Sequence, residues 1–547
     1  DPWTTLFSEV AAGMVVVPLA AWMLAARRGR MELDALSIGF ALAALVPLLQ
    51  AAYGLFIFPA EAPVVSIYLV GLAVAVAVAR GAEEYAPGRL PDALFAGLVI
   101  ASLVSTALAL AQWLHLDWGP LLAPISTGNR SMANVGQPND LSTLLVWGLI
   151  GLWWAHLHRR IGGMVAALAA ATVLVGVAST QSRTGYLAVV LLLITAVVSP
   201  KPLGSAKHRA AFIGLGLWFL VLVLSWTAAG VGEVAGVVAV AGGGEVAGGG
   251  EVRSVFDKSS VSQRLEIWAM MIDGIQHRPW FGYGWNQGRL VQLGELPNYA
   301  DLKIGIQHAH NLVLDLMVWN GVPLGLAFTA LLGAWFWWQL RRAATAAQIL
   351  LMLALSTFML HSMLELPHSK AFFLVPAALM MGTLNVRSAL PVVLRLPRAG
   401  AALGVTVLAT SLVLMWVEYR RIEVDLQAYR MRMARIGNLP VPPAPDILVL
   451  SALQSGLANM RIEPRAGMEV KDLERLRLTA IRYPIESTLF RYAKAAALNG
   501  QPGAAYESLS RWCLLFPRER CEVARSAWGE FLIEHPEIGP VPFPTFR

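Results

Sequence analysis

Charge is scarce in this sequence. Asp, Glu, Lys and Arg together make up 14% of the 547 residues, against roughly 25% in soluble globular proteins, while 56% of the residues are hydrophobic. So few charges cannot cover that much apolar surface in water, which excludes an ordinary soluble protein and leaves lipid as the solvent for most of the chain. The period-two alternation of transmembrane β-strands is also absent, so we predict an all-α membrane protein.

The chain also lacks an initial methionine and has little cysteine. Because it begins at Asp1, we expect the native chain to start earlier, with a signal peptide or a further transmembrane helix. The two cysteines, Cys513 and Cys521, flank the Phe516-Pro517 turn near the C-terminus. In an oxidising compartment we expect them to form a disulfide; the alternative is a pair of small buried hydrophobic residues.

Twelve apolar stretches are long enough to cross the roughly 30 Å of hydrocarbon in a bilayer. They cover residues 5–26, 35–58, 63–80, 91–113, 139–156, 163–179, 184–199, 211–229, 311–340, 346–363, 371–386 and 399–417. We therefore predict a polytopic transmembrane helical bundle of about twelve spans, with one more if a helix precedes Asp1.

Basic residues set the predicted orientation. They cluster in the loops after the first, fifth, seventh, ninth and eleventh spans, at residues 27–30, 158–160, 201–209, 341–342 and 387–398. Since cytoplasmic loops collect Lys and Arg, this face is predicted to be cytoplasmic, and the formal charge of +7 needs no nucleic-acid partner. We expect a bacterial inner-membrane protein whose opposite face is periplasmic.

Two regions are predicted to stand outside the lipid. The bundle, residues 1–417, includes a periplasmic loop, 230–310, that begins with a Gly-rich linker and becomes ordered around residues 262–268. Residues 418–547 are predicted to form a soluble periplasmic helical domain. Within it, residues 493–515 resemble a tetratricopeptide hairpin.

Polar residues at the outer ends of spans are functional candidates, because ionisable groups are costly next to lipid. Four clusters qualify: Asn129-Arg130 with Gln137, Asn139 and Asp140; Gln181-Ser182-Arg183; Arg264; and Gln307-His308 with His310-Asn311. Each cluster also has a purely structural interpretation, namely helix capping for the first and fourth, snorkelling for the second and a surface helix for the third.

The residue types in these clusters suit one kind of chemistry. Guanidinium groups such as Arg183 and Arg264 pair bidentately with diphosphate oxygens, and a histidine such as His310 can take a proton from an attacking hydroxyl. We expect these three side chains to share one diphosphate-sized pocket. His308 and His310 form a His-x-His pair with no third acidic or Cys ligand nearby, so no metal site is predicted.

Five short motifs follow one another along the sequence, and all lie on the predicted outer face. They are Gly136-Gln137-Pro138-Asn139; Ser182-Arg183-Thr184-Gly185; Arg264-Leu265-Glu266-Ile267-Trp268 with Pro279-Trp280-Phe281-Gly282-Tyr283-Gly284; His308-Ala309-His310-Asn311 with Asn320-Gly321-Val322-Pro323; and His361-Ser362-Met363-Leu364-Glu365. In this order they resemble the O-antigen ligase and polymerase superfamily, and more closely its bacterial protein O-oligosaccharyltransferases of the pilin-glycosylating type. The sequence departs from that branch after Glu365, where Leu366-Pro367-His368 replaces Tyr-Pro-Leu.

The resemblance implies transfer of a glycan from undecaprenyl diphosphate to Ser or Thr hydroxyls of a periplasmic acceptor such as pilin, with inversion and without metal or other cofactor. His310 matches the family's essential histidine, proposed to activate the acceptor hydroxyl. Arg183 and Arg264 match arginines proposed to hold the diphosphate. The candidate acceptor or glycan contacts are Arg130, Gln137, Asn139, His308 and His361.

Other functions share part of this pattern. An O-antigen ligase uses the same chemistry on a sugar of the lipid A core, but such ligases usually end soon after the bundle. A glycan polymerase is a further alternative within the superfamily. A transporter or lipid flippase would carry charges near mid-span in broken helices, whereas these charges lie at the outer ends. A purely structural protein would not need Arg and His there.

Overall fold

The structure is a computed structural model that describes most of the chain. It covers residues 5–26, 30–114, 130–198, 205–240, 259–434, 445–459, 461–538 and 541–544, with Leu116, Leu203 and Ile436 between them. Asn129, the expected Gly-rich linker at 242–251 and the basic residues 27–29 lie outside the described residues.

The first fifteen helices form the bundle and one long loop. They are α1 (Leu6–Ala26), α2 (Ala35–Ala43), α3 (Leu45–Ala52), α4 (Ala62–Tyr85), α5 (Arg89–Trp113), α6 (Pro138–Leu157), α7 (Gly163–Ser179), α8 (Arg183–Val198) and α9 (Ala206–Val240). The series continues with α10 (Ser259–His277), α11 (Arg289–Glu295), α12 (Leu312–Arg342), α13 (Ala346–Ser362), α14 (Ala371–Arg387) and α15 (Arg398–Met433). Of these, α10 and α11 belong to the loop between α9 and α12.

Eight helical segments in the described residues are long and apolar enough to cross a membrane. One of them combines α2 with α3, and four shorter apolar helices, α7, α8, α13 and α14, accompany them. This confirms the predicted all-α polytopic class. The lipid solvates outward-facing side chains such as Ile100 and Leu103 of α5, which are exposed in the protein itself.

Helix α6 lies at the centre of the bundle. Trp147 and Ile150 are fully buried, and the indole of Trp147 donates to the carbonyl oxygen of Ala354 on α13 at 2.9 Å. The helix begins with Pro138 in its first turn, where the missing N–H costs no helical hydrogen bond. The first turn of α6 therefore places the Gln137–Asp140 segment in the middle of one end of the bundle.

Three predicted boundaries differ from the structure. The second span ends at Ala52 rather than 58, because Gly54 adopts φ +74° and Pro59 opens a short 3-10 turn. Helix α9 continues to Val240, so the loop predicted from residue 230 begins later. Helix α15 runs unbroken past residue 417 to Met433, because nothing at the membrane boundary terminates an α-helix.

A small antiparallel sheet was not expected. Strand β1 (Met31–Asp34) pairs with β2 (Val392–Leu396), with Met31 opposite Leu396. The two strands belong to the loops after the first and eleventh predicted spans. Their pairing shows that these two basic loops lie at the same end of the bundle, as the count of spans requires.

Five helices follow α15. They are α16 (Ser451–Asn459), α17 (Val470–Arg482), α18 (Glu486–Leu498), α19 (Pro502–Leu515) and α20 (Arg518–Glu534). Helices α17 to α20 form an apolar core, whereas Leu457 of α16 packs with Tyr419 and Ile422 of α15. The hairpin expected in residues 493–515 is present as α18 and α19, which turn at Gly500 with φ +72°. Cys513 and Cys521 form the expected disulfide between α19 and α20.

The C-terminal helices also dock on the end of the bundle where α6 begins. Arg482 of α17 forms an ion pair with Glu61, with its Nε 2.8 Å from one carboxylate oxygen and 3.0 Å from the other. Leu293 of α11 and Leu296 just after it belong to the same apolar cluster as the C-terminal core. The loop between α9 and α12 is therefore held between the bundle and the C-terminal helices.

Candidate active site

One carboxylate joins three of the candidate side chains. Glu365 follows α13, and its side chain is 8% exposed. Its Oε1 accepts a hydrogen bond from Asn139 Nδ2 at 3.0 Å and forms an ion pair with Nη2 of Arg264. Its Oε2 lies 3.1 Å from Nδ1 of His310. Three motifs that lie far apart in the sequence thus contact the same carboxylate, that of Glu365.

Helix α10 holds both Arg264 and the loop that carries His310. Arg264 lies one turn before Trp268, so the two side chains point from the same face of the helix. The indole of Trp268 donates to the carbonyl oxygen of Ala309 at 2.9 Å. The spacing of Arg264 and Trp268 therefore fixes the guanidinium and the histidine loop together.

The backbone at His310 is unusual. It adopts φ +53°, in the left-handed region that residues with a Cβ seldom occupy. Asn311 follows as the N-cap of α12, with its side-chain oxygen accepting from the N–H groups of Val313 and Leu314 at 3.1 and 3.2 Å. Such strain costs on the order of 1–3 kcal/mol and persists where surrounding contacts impose it, as they often do at functional sites.

Asn139 links the carboxylate to the second motif. Its Oδ1 accepts from the Ser182 hydroxyl at 2.8 Å and from Nη2 of Arg130 at 3.2 Å. Arg130 in turn donates from Nε to the carbonyl oxygen of Thr180 at 2.9 Å. Arg130 and Asn139 therefore hold the turn between α7 and α8 against the first turn of α6.

Arg183 is the first residue of α8 and directly follows Ser182. Its backbone therefore lies beside the Asn139 network, and its side chain is half-buried. That its guanidinium shares a pocket with Arg264 and His310 stays a prediction.

Gln137 belongs to a neighbouring polar group. Its side-chain oxygen accepts from Lys370 Nζ at 2.9 Å, and Lys370 also forms an ion pair with Asp140. Lys370 precedes α14, so this group ties the start of α6 to the start of α14.

His361 is fully buried inside the bundle. Its Nδ1 lies 2.7 Å from the hydroxyl of Thr143 on α6. It stands one helical turn before Glu365, and its carbonyl oxygen accepts from the Glu365 N–H at 2.8 Å. The side chain faces the protein interior, so the geometry gives it a structural position rather than the direct glycan contact expected from the sequence.

His308 belongs to a second buried group. Its Nδ1 is 3.9 Å from Asp315 Oδ2, and Nε2 of His368 is 3.3 Å from the same oxygen. The other oxygen of Asp315 accepts from the Ala309 N–H at 2.7 Å. Burial lowers the pKa of His308 to about 4, against the opposing charge of Asp315.

The charge of Glu365 is strongly stabilised. Burial alone would raise the pKa of this carboxyl, but the hydrogen bond and charge of His310 and the guanidinium of Arg264 bring the pKa down to about 2. Glu365 is therefore an anion at any physiological pH. An ionised carboxylate can only accept hydrogen bonds, so the proton shared with His310 belongs to Nδ1, and Nε2 is the acceptor atom of that imidazole.

A large cavity lies beside this cluster. It has a volume of about 570 Å³, and α2, α4, α12 and α14 supply its apolar walls. His308, His368, Lys370 and Arg482 line its polar part. Leu36, Leu69 and Leu331 show that it extends deep between the spans.

The sequence motifs did not identify the residues that organise the site. Glu365 and His368 were named within motifs but given no role, and Lys370 and Asp315 were not predicted as site residues. A signal existed for Glu365, since an acidic residue at the mouth of a span is costly unless it is paired. Within the described residues, no three His, Cys, Asp or Glu side chains are grouped so that they could hold a metal ion.

These features describe a polytopic α-helical membrane protein with a buried Glu-His-Arg cluster at one end of its bundle. Residues 165–329 match the O-antigen ligase family, and this range contains Arg183, Arg264 and His310. Residues 349–529 match a family described as virulence factor membrane-bound polymerase, C-terminal, and this range contains Glu365. The chain is a multi-pass membrane glycosyltransferase, and its residues 165–329 are similar to the O-antigen ligase family.

Two proteins of Acinetobacter baylyi show the similarity over longer stretches. The chain is 25% identical over 525 residues to a general O-oligosaccharyltransferase, which covers 93% of this chain and 88% of that protein. It is also 25% identical over 291 residues to a ComP-specific O-oligosaccharyltransferase, covering 53% of this chain and 50% of that protein. The resemblance to O-oligosaccharyltransferases inferred from the five motifs is thereby confirmed.

Proposed function

We propose that this protein transfers a glycan from a lipid diphosphate to a Ser or Thr hydroxyl of an acceptor protein at the periplasmic face of a bacterial inner membrane. The observation that carries the proposal is the Glu365 carboxylate, which holds Arg264 and His310 side by side. The similarity to a general O-oligosaccharyltransferase over 93% of the chain supports a protein as the acceptor.

Arg264 and Arg183 are the proposed holders of the diphosphate. As the bond between the sugar and the diphosphate breaks, negative charge grows on the leaving oxygen, and a guanidinium stabilises that charge without a metal. In the structure Arg264 pairs with Glu365. We expect the diphosphate to bind one edge of the Arg264 guanidinium group while Glu365 stays bound to the other edge.

His310 is the proposed general base. Its Nδ1–H donates to Glu365, so Nε2 can accept the proton of the acceptor hydroxyl. The hydroxyl oxygen then forms a bond to the anomeric carbon as the bond from that carbon to the diphosphate oxygen breaks, which inverts the anomeric configuration. The Glu365 carboxylate stabilises the resulting imidazolium, as the aspartate of a catalytic triad does.

The 570 Å³ cavity is the proposed place for part of the donor's polyprenyl chain, which in bacteria would be undecaprenyl. Its walls are apolar, and Lys370, Arg482 and Glu61 are among the residues that line its polar part. Arg482 is paired with Glu61, so an amphiphile with an apolar chain matches the walls and its anionic head is expected near Lys370. Because Lys370 also contacts Gln137 and Asp140, the polar part of the cavity adjoins the cluster around Glu365.

The second candidate function is O-antigen ligation to the lipid A core, which the match of residues 165–329 favours. The experiment that separates the two functions is transfer in a host that makes a lipid-linked glycan and offers both a pilin-like protein and lipid A core. We expect glycan on Ser or Thr of the protein. Glycan found on lipid A core alone would contradict the proposal, and glycan on neither acceptor would contradict both functions.

A further inference from the structure

A second cavity lies at the end of the bundle opposite to Glu365. Its volume is about 270 Å³, and it is enclosed by α6, α7, α8 and α9. Bulky side chains such as Trp153, Leu192 and Phe212 form three of its walls. On α7 the wall consists of small residues, Ala166, Ala167 and Ala170 among them, which leave the space that the larger residues do not fill.

The mouth of this cavity is basic. The titratable residues among its lining are His156 at the end of α6 and the neighbours Lys207 and His208 at the start of α9, and no Asp or Glu among the described residues lines it. The carboxylate of Asp92, on the neighbouring helix α5, is already engaged by Arg160 at 2.6 Å and by the indole of Trp154 at 2.8 Å. The positive charge at the mouth is therefore not neutralised by the acid of that helix.

The two histidines bridge α6 and α9 at the mouth. Their Nε2 atoms are 2.9 Å apart. The N–H of Ser205 donates to Nδ1 of His208 at 3.1 Å, so the proton of the neutral His208 ring lies on Nε2 and is donated to His156. This hydrogen bond fixes the rings at the rim and keeps Lys207 beside the opening.

We propose that this cavity binds an anionic phospholipid of the bilayer, with one acyl chain between α7 and α9 and the phosphate at Lys207, beside the histidine pair. The apolar depth fits a hydrocarbon chain, and the basic rim without acidic residues fits a phosphodiester. The sequence places this end of the bundle at the cytoplasmic face, where anionic lipids are met in the bilayer itself. The site is independent of the glycan and of the acceptor.

Native mass spectrometry of the delipidated full-length protein tests this proposal. Phosphatidylglycerol, phosphatidylcholine and inorganic phosphate are added separately, and the occupancy of bound ligand is measured. We expect one phosphatidylglycerol bound in preference to phosphatidylcholine, and no retained inorganic phosphate. Equal binding of the two lipids, or retention of inorganic phosphate in place of lipid, would overturn the proposal.

Two variants place the lipid in the cavity. Lys207→Glu should weaken phosphatidylglycerol binding by about fivefold for each unit of charge lost, since each basic residue near an anionic lipid contributes about that factor. Ala167→Phe should fill the apolar space and abolish retention. Arg398→Glu is the matched control, because Arg398 is exposed near the same end but does not line the cavity.

Lys207 is exposed, so its substitution should leave the fold intact. If Ala167→Phe fails to fold, Ala170→Leu fills the same space with a smaller side chain. Unchanged lipid occupancy in Lys207→Glu, or a loss in Arg398→Glu as large as in Lys207→Glu, would show that the lipid binds elsewhere.

Discussion

At the scale of single residues, Glu365 is the group on which the site depends. It pairs with a guanidinium through one oxygen and with an imidazole through the other. A carboxylate in that position fixes the tautomer of His310 and limits the orientations of Arg264. Glu365 is thus a positioning residue, which acts on the reaction through its two partners.

Replacing Glu365 by Gln tests this role. Gln keeps the size and one acceptor but removes the charge, so His310 loses the partner that stabilises its protonated form. We expect transfer to fall by about 10²–10⁴-fold. Donor affinity should stay the same or rise, because the diphosphate no longer competes with a carboxylate for Arg264. Transfer assays and donor-binding titrations on the purified protein measure the two effects.

Glu266 provides the matched control for that variant. It lies two residues after Arg264 on α10 and is exposed. Glu266→Gln makes the same chemical change without touching the cluster and should transfer normally. If Glu365→Gln transferred glycan as well as Glu266→Gln, the positioning role would be refuted.

His308 predicts a dependence of stability on pH. Its pKa is about 4 in the folded protein and about 6.5 in an unfolded chain, so the unfolded chain takes up the proton first on acidification. Stability is therefore full above pH 6.5 and falls as the pH drops towards 4, by about 3 kcal/mol in total. His308→Gln should lessen the drop in the thermal unfolding midpoint between pH 7.5 and pH 5, whereas His535→Gln, at a partly exposed site near the C-terminus, should not. Equal drops in the two variants would contradict the assignment.

The residue types of the site were readable from the sequence, but their partners were not. Arg264, His310 and Asn139 were predicted from motifs at the ends of spans. Their common contact with Glu365 joins positions 101, 55 and 226 residues apart. No local feature of the sequence indicates such pairing. The same holds for Asp315, which lies near His308, whereas His310 contacts Glu365.

At the scale of elements, two glycines explain the motif at residues 279–284. The backbone of this segment crosses α12, with the Tyr283 N–H donating to Val318 at 2.8 Å and the Val322 N–H donating to Pro279 at 2.7 Å. Gly282 and Gly321 have φ of +67° and +75°. A Cβ on Gly282 would lie 2.6 Å from the backbone nitrogen of Gly321. The crossing is possible only without side chains at both positions.

Gly321→Ala should therefore displace the crossing. Its backbone, with φ +75° and ψ 169°, lies in a region that costs other residues about 1–3 kcal/mol, and the added Cβ would collide with the backbone of Trp280 and Phe281. We expect a lower unfolding midpoint and reduced transfer, because the same segment connects α10 to the rest of the site. Gly333→Ala on the same helix is the control, since no atom lies within 4 Å of its added Cβ. Similar midpoints for the two variants would contradict the crossing.

Most helices could be predicted because hydropathy decides them. A stretch of about 20 apolar residues in lipid must satisfy its backbone internally, and a helix does so without any partner. The ends were less predictable. Helix α9 and α15 continue beyond their apolar cores, since a helix ends at a capping or breaking residue and not where hydropathy falls.

At the scale of the whole molecule, the fold brings one end of the bundle, the loop between α9 and α12 and the C-terminal helices together. The contacts are the Arg482–Glu61 ion pair and the apolar cluster shared by α11 and the C-terminal core. The order of motifs in the sequence predicted a common face for the candidate residues. It could not predict that the C-terminal helices also line the 570 Å³ cavity, through Arg482 and Tyr483.

In the proposed mechanism, Arg264 and Arg183 hold the diphosphate and His310 accepts the hydroxyl proton, without a metal. This mechanism predicts that mutations of these residues separate donor binding from transfer. A residue that acts only on the acceptor proton affects the transition state, whereas a guanidinium that grips the leaving group also grips the bound donor.

The most direct test measures donor binding and glycan transfer side by side in His310→Ala and Arg264→Ala, with a chelator present throughout. We predict that His310→Ala binds the donor nearly as tightly as the unmodified protein while transfer falls by about 10²–10⁴-fold. Arg264→Ala should lose both donor binding and transfer. Arg264→Lys should recover only part of each, because lysine keeps the charge but not the two-pronged guanidinium geometry. Loss of donor binding in His310→Ala as severe as in Arg264→Ala, or loss of transfer by the unmodified protein in the chelator, would contradict the account.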